Sequence, residues 1–242
     1  MSVITSESYV EKIYSDAVAT SGKRQGTLSR RSFLRLVLLC KLLRRRGIRI
    51  ERTPRWSYTF SKRLLDLVVS SLLLLLLSPV LLLIALLIRL SSRGPALFVQ
   101  RRAGRHGIPF NMYKFRSMSY TARRYDYSPK TSTDPRITRL GRFLRQTSLD
   151  ELPQLLNVFL GEMSLVGPRP EMPFIVHRYN RCQRQRLQVI PGITGLWQLS
   201  PDRAFPIHEN VHHDLFYIRH RTLSIDLAIL IHTLIFAMRG GV

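Results

Sequence analysis

The feature that most limits how this chain can fold is one apolar block. From Leu67 to Ile88 no side chain is charged, and Leu72 to Leu77 is unbroken leucine. That length meets the requirement of about 20 residues for a helix that crosses a bilayer. Two details argue against a simple crossing. Ser78-Pro79 falls in the middle of the block, and proline removes a helical hydrogen bond and bends the axis. Lys62 and Arg63 stand before the block, Arg89 and Arg93 after it, and positive charge is retained on the cytoplasmic side of a membrane. A straight span satisfies one flank. A helix over 62–92 that goes in, bends at Ser78 and Pro79 and returns to the same face satisfies both. The expectation is a re-entrant membrane helix, with Asp66 at the membrane edge paired to a nearby arginine.

Charge sets the second constraint. The 242 residues include 38 Lys and Arg against 15 Asp and Glu, a net charge of +23. Such a surplus implies an anionic partner: nucleic acid, an anionic lipid surface or a phosphorylated substrate. Cys40 and Cys182 are too few for a disulfide framework or a cysteine metal cluster. The first 30 residues are polar and lack the apolar core of a secretory signal, so none is expected. Residues 1–55 form a basic N-terminal segment. Within it, residues 31–46 mix leucine and arginine at helical spacing, and an interfacial amphipathic helix is expected there.

From residue 93 to 242 the pattern changes to that of a soluble domain facing the cytosol. Residues 96–100 and 110–116 are expected to be strands around a turn with Gly104, Gly107 and Pro109. Alternation along the second strand would put Lys114 and Arg116 on one face. Helices are expected at about 137–146, 150–160, 172–188 and 224–238, a polar loop at 119–135 and a turn at Pro191-Gly192. The fold class is therefore α+β and mostly helical: a small cytosolic domain carried on a membrane helix broken at Ser-Pro. No feature of the sequence sets an oligomeric state.

Two adjacent carboxylates, Asp150 and Glu151, stand out in this basic background, bracketed by Arg142, Arg145 and Arg169. Ser148 and Glu151 have the spacing of a capping box, which would place Asp150 in the first turn of a helix, where the dipole favours a negative charge. A nucleophile beside phosphate-binding arginines is the functional alternative. His212-His213-Asp214 has the composition of a metal cluster, but adjacent histidines lack metal-binding helix spacing, so a structural role is expected for them.

Several short motifs occur in order: Gln100-x-Arg102-x-Gly104-x-x-Gly107-x-Pro109-Phe110, Lys114-Phe115-Arg116-Ser117-Met118, Asp134-Pro135-Arg136 running through Arg145 to Ser148-Leu149-Asp150-Glu151-Leu152-Pro153-Gln154, Gly167-Pro168-Arg169-Pro170, and Pro191-Gly192-Ile193-Thr194-Gly195-Leu196-Trp197-Gln198. Together they resemble the bacterial sugar transferases, the monotopic phosphoglycosyl transferases that prime exopolysaccharide, capsule and O-antigen assembly. The resemblance covers about residue 62 to the C-terminus and leaves residues 1–55 outside. It implies transfer of a sugar phosphate from a UDP-sugar to polyprenyl (undecaprenyl) phosphate at the bacterial inner membrane, with release of UMP. Asp150 would be the nucleophile that forms an aspartyl phosphosugar intermediate. Glu151 would help hold Mg²⁺ with Asp150 or manage the acceptor's proton, and Arg102, Lys114, Arg116, Arg145 and Arg169 would contact substrate. Two departures from the family pattern stand in the C-terminal third. Pro201-Asp202-Arg203 replaces a glycine and a basic residue, and His213 replaces an aliphatic one. A membrane-tethered nucleic-acid-binding protein would also suit the charge, but no helix-turn-helix, zinc or RNA-binding signature accompanies it, so no nucleic-acid partner is expected. A catalytically inactive scaffold for polysaccharide assembly is the other alternative, and the intact carboxylate pair argues against it.

Overall fold

A computed structural model describes residues 55–122, 129, 131 and 133–238. The interfacial helix expected over 31–46 lies outside the described residues. The fold is mostly helical α+β and is built around one long apolar helix, α1 (Arg55–Ser91). This helix is long and apolar enough to cross a membrane, by length and composition. Leu75, Leu76 and Leu82 are more than three-fifths exposed, so the protein leaves that surface uncovered.

Pro79 lies inside α1 without ending it. A proline there deprives the carbonyl of Leu75 of its helical N–H. The Ser78 hydroxyl donates to that carbonyl at 2.7 Å, so the Ser-Pro pair carries its own repair. Both halves of α1 dock on the rest of the chain. Leu65, Val69 and Leu73, four residues apart, pack on a core that includes Phe110, Leu155, Val158 and Ile229. Ile84 and Ile88, again four apart, pack with Phe115 and Leu144 in a second core.

Beyond α1 the strands β1 (Leu97–Ala103) and β2 (Pro109–Phe115) form an antiparallel hairpin, with Leu97 opposite Phe115 and Ala103 opposite Pro109. A 3₁₀ turn at Arg105–Gly107 closes it, with His106 and Gly107 both at positive φ. Helix α2 (Arg139–Gln146) starts where the Thr138 side chain accepts the N–H of Gly141. A short parallel pair, β3 (Ser164–Val166) and β4 (Gly192–Thr194), follows helix α3 (Gln154–Leu160). Gly192 therefore begins a strand and is not merely part of a turn. A Cβ on Gly192 would lie 2.0 Å from the nitrogen of Gly167, so only glycine lets these two backbones meet.

The single helix expected over 172–188 is divided into α4 (Pro173–Val176), α5 (Arg181–Arg184) and a 3₁₀ turn at Gln185–Gln188. Asn180 is the cause. Its backbone is extended, its side chain accepts the N–H of Gln183, and the Gln183 side chain accepts the N–H of Asn180. That capping box starts a new helix. The chain ends in α6 (Leu196–Leu199), α7 (His212–His220) and α8 (Leu223–Met238).

Polar groups fix α1 to this body. Arg63 donates to the carbonyls of Val158 and Phe159 at 2.7 and 2.8 Å, capping the C-terminus of α3 beside Gly161 in the left-handed conformation. Lys62 pairs with Asp226 of α8 at 2.9 Å. Asp66 accepts the backbone N–H of Leu165 at 3.0 Å. The arginine partner expected for it is replaced by this strand amide, which would otherwise be buried without an acceptor.

Asn157 holds the hairpin on α3. It is fully buried, accepts the N–H of Tyr113 at 3.0 Å, and donates to the carbonyl of Asn111 and the carboxylate of Glu162, each at 2.7 Å. Asn157→Ala leaves these groups unpaired in the interior. It should lower unfolding stability by about 2–4 kcal/mol, measured as a fall in the thermal midpoint of the purified protein.

Candidate active site

The segment from Arg145 to Gln154 does not fold as its local pattern suggests. Ser148 takes a left-handed conformation (φ 57°, ψ 14°) and makes no capping bond. Leu149–Glu151 form a separate 3₁₀ turn, Pro153 interrupts, and α3 begins only at Gln154. The capping box is absent, and Asp150 is not in the first turn of the helix. The reason lies in Glu151, whose carboxylate is taken by stronger partners than a backbone N–H.

Lys114 of β2 donates to Glu151 Oε1 at 2.6 Å. Arg169, from the Gly-Pro-Arg-Pro loop after β3, grips the same carboxylate with both guanidinium nitrogens, Nη1 to Oε2 at 3.2 Å and Nη2 to Oε1. Burial alone would raise the Glu151 pKa, but Arg169 and Lys114 outweigh it and hold the carboxyl well below the usual carboxylate range. Glu151 is thus a fixed anion and a weak base.

Asp150 is in the opposite condition. It is buried, and among the described residues its carboxylate has no hydrogen-bond partner. Burial pushes its pKa up, with Lys114 countering and the neighbouring Glu151 charge adding to the rise. Arg145 and Arg169 act on it only through their fields. Arg102 of β1 stands beside Arg169. Burial, with the Arg169 charge adding, pushes the Arg102 guanidinium down to about 10, which leaves it cationic at neutral pH. Its Nη1 is 3.4 Å from the carbonyl of Pro170, and its buried Nε has no partner among the described residues.

Five of the sequence-derived residues therefore come together: Asp150, Glu151, Lys114 and Arg169 in direct juxtaposition or contact, and Arg102 beside them. Arg145 flanks the group. Arg116 does not belong to it. β2 ends at Phe115, and Arg116 donates to the carbonyls of Ile88 and Ser92 and to the Ser92 hydroxyl, tying down the end of α1. The expected strand alternation fails because the strand stops one residue short.

A second layer escaped sequence reasoning. Arg186 is almost fully buried and donates to Glu171 at 2.8 Å, Asp214 at 2.9 Å, the Tyr179 hydroxyl at 2.6 Å and the backbone carbonyl of Arg169 at 2.7 Å. It fixes the loop from which Arg169 reaches out. Among so many arginines nothing in the sequence singles out this one, although Glu171 follows directly after Gly-Pro-Arg-Pro. Gln154 was quoted only as part of a motif. It is buried four residues after Asp150, with Nε2 unpartnered among the described residues. Asp214 belongs to the Arg186 network, so it is not the acid of a His212-His213 cluster.

The Bacterial sugar transferase family matches residues 57–240. The chain is 45% identical over 199 residues to an undecaprenyl-phosphate glucose phosphotransferase of Komagataeibacter xylinus, covering 76% of this chain and 37% of that protein. It is 39% identical over 193 residues to an undecaprenyl-phosphate galactose phosphotransferase of Salmonella typhimurium, covering 73% and 40%. It is 42% identical over 188 residues to a UDP-glucose:undecaprenyl-phosphate glucose-1-phosphate transferase of Caulobacter vibrioides, covering 74% and 70%. The chain spans about two fifths of the first two of these relatives and more than two thirds of the third. The match runs through α1, the hairpin, the Asp150–Glu151 turn and the Arg169 loop alike, and the chain belongs to the bacterial sugar transferase family.

Proposed function

We propose that the protein transfers a sugar 1-phosphate from a UDP-sugar to undecaprenyl phosphate, with Asp150 as the nucleophile. The observation that carries this reading is the opposed state of the two adjacent carboxylates. Glu151 is neutralised by Lys114 and Arg169, while Asp150 is buried, unpaired and raised in pKa at the same cationic group. A Glu151 base is unnecessary as well as weak, since a phosphate acceptor with a second pKa near 6 is already anionic at neutral pH.

In the first step an Asp150 oxygen attacks the sugar-bearing phosphorus. The new bond is Asp150 O–P, and the bond that breaks joins that phosphorus to the bridging oxygen, which leaves on UMP. In the second step an oxygen of undecaprenyl phosphate attacks the same phosphorus, the Asp150 O–P bond breaks, and the carboxylate is regenerated. Lys114, Arg169 and Arg102 neutralise the phosphoryl oxygens, and Arg169 suits a two-point contact. The donor set also fits Mg²⁺ through Asp150, because an unpaired carboxylate plus substrate phosphate oxygens is a common magnesium shell. Glu151 would join that shell only by releasing Arg169 or Lys114. A bound ion would supply further neutralisation of the diphosphate.

On this reading α1 is a re-entrant helix at 62–92, residues 93–242 are the catalytic domain on the cytoplasmic face of the inner membrane, and residues 1–55 are a separate basic segment. Anchoring of both halves of α1 on one body supports the bend. So does the Ser78–Leu75 bond, which lowers the cost of proline at the turn.

Detergent-purified protein with Mg²⁺, undecaprenyl phosphate and UDP-glucose or UDP-galactose should release UMP. Asp150→Asn should lower the rate by about 10³-fold or more, and Arg169→Lys by roughly 10–100-fold. Release of UDP instead would mean glycosyl transfer and overturn the aspartyl intermediate.

The same burial predicts a stability effect. The folded state raises the Asp150 pKa, so its ionised form costs stability above that pKa, and the cost disappears below the unfolded value. Asp150→Asn should therefore melt at a higher temperature than the parent at neutral pH. The difference should close as pH falls through the acid range, as read by thermal unfolding across pH.

A further inference from the structure

We propose that Asp202, His212 and His213 form a binding site for a divalent first-row transition ion such as zinc, apart from the Asp150 site. Two imidazoles converge on one carboxylate oxygen. His213 Nε2 lies 2.8 Å from Asp202 Oδ2, and His212 Nε2 lies 3.6 Å from the same atom. The three ligand atoms all fall within 4.8 Å of one another. The histidines are adjacent on α7, where side chains normally diverge by about 100°. Here their rings pack with centroids 4.0 Å apart and planes tilted 41°, which turns both Nε2 atoms the same way. Asp202 thus takes both imidazoles on one oxygen, His213 by a close contact and His212 by a longer one.

The donor set narrows the choice of ion. Two imidazoles and one carboxylate suit zinc, cobalt and nickel, whereas magnesium prefers oxygen ligands. Metal–ligand bonds of about 2.0–2.1 Å in a tetrahedral shell place ligand atoms about 3.4 Å apart, so His212 is near its place and His213 would draw back slightly from its 2.8 Å contact with Asp202. His213 is fixed and nearly buried, while His212 is 39% exposed and leaves an approach for the ion and for a water as fourth ligand.

The site joins the 3₁₀ turn at Pro201–Ala204 to the start of α7. The next residue of α7, Asp214, receives Arg186, which in turn holds the Arg169 loop. An ion here would lock α7 in the position that presents Asp214 to Arg186.

The test uses the full chain without a histidine tag, purified in detergent, stripped with a chelator and titrated with Co²⁺. One equivalent should produce visible d–d absorption that Zn²⁺ abolishes and excess Mg²⁺ leaves unchanged. His212→Ala and Asp202→Asn should each weaken Co²⁺ binding by at least about tenfold while keeping the parent's far-ultraviolet circular dichroism. Zn²⁺ should raise the thermal midpoint of the parent and not of His212→Ala. Absence of the Co²⁺ band, or a band of equal affinity in both folded variants, would overturn the proposal.

Discussion

One carboxylate holds the site in register. Glu151 lies between Lys114, delivered by the hairpin, and Arg169, delivered by the loop after β3. These are separate pieces of chain, and their cationic ends would repel each other without it. The three side chains are partly buried, with relative exposures of 16–30%, so water screens the repulsion less than at an open surface. Removing one member of such a group costs more than the group contributes, because the remaining charges are left uncompensated. Lys114, Arg169 and Arg102 bring three positive charges against the one on Glu151. The surplus remains for an anion with several oxygens, and a diphosphate has that character.

The surplus is useful only if the arginine comes from a rigid place, and Arg186 provides that rigidity. It satisfies two carboxylates, a phenol and the Arg169 carbonyl from within the core, so the loop cannot drift without exposing a buried charge. The long apolar helix is held in a comparable way. Lys62, Arg63 and Asp66 tie the first half of α1 to α8, α3 and β3, while Arg116 ties the second half to the end of the hairpin. The helix and the Asp150 turn are therefore parts of one body. On the proposed function, a lipid-borne acceptor held against that helix would meet the turn at a constant height.

Much of this was legible in the sequence. The hairpin, α2, the last helix and the apolar block follow from periodicity, and Asp150, Glu151, Lys114 and Arg169 stand out as a carboxylate pair and motif cations. The parts that were not legible share one cause: long-range polar contacts override local pattern. Ser148 and Glu151 have capping-box spacing, yet Glu151 is captured from two other elements. Arg116 has the right alternation, yet the helix end takes it. Asp66 lacks an arginine because a strand amide 99 residues away needs an acceptor. The 172–188 helix looks continuous until Asn180 caps a new one. The short strands β3 and β4 cannot be seen from three residues each. Their meeting depends on Gly167 and Gly192, which in sequence look like turn residues.

The opposed behaviour of Asp150 and Glu151 has a simple electrostatic origin. Two neighbouring carboxylates disfavour each other's ionisation, and the protein resolves the conflict by giving the strong contacts to one of them. Glu151 receives Lys114 and Arg169 by direct bonds. Asp150 is left with burial and with the distant part of the same fields. The two carboxylates thereby differ in state: one is a fixed counter-ion, the other a more basic group without a hydrogen-bond partner among the described residues. On the proposed function, a diphosphate bound by Arg169 and Lys114 would weaken their grip on Glu151 and bring its phosphorus toward Asp150. The turn that carries these two side chains, with Ser148 left-handed before it and Pro153 after it, is held by the Lys114 and Arg169 contacts to Glu151.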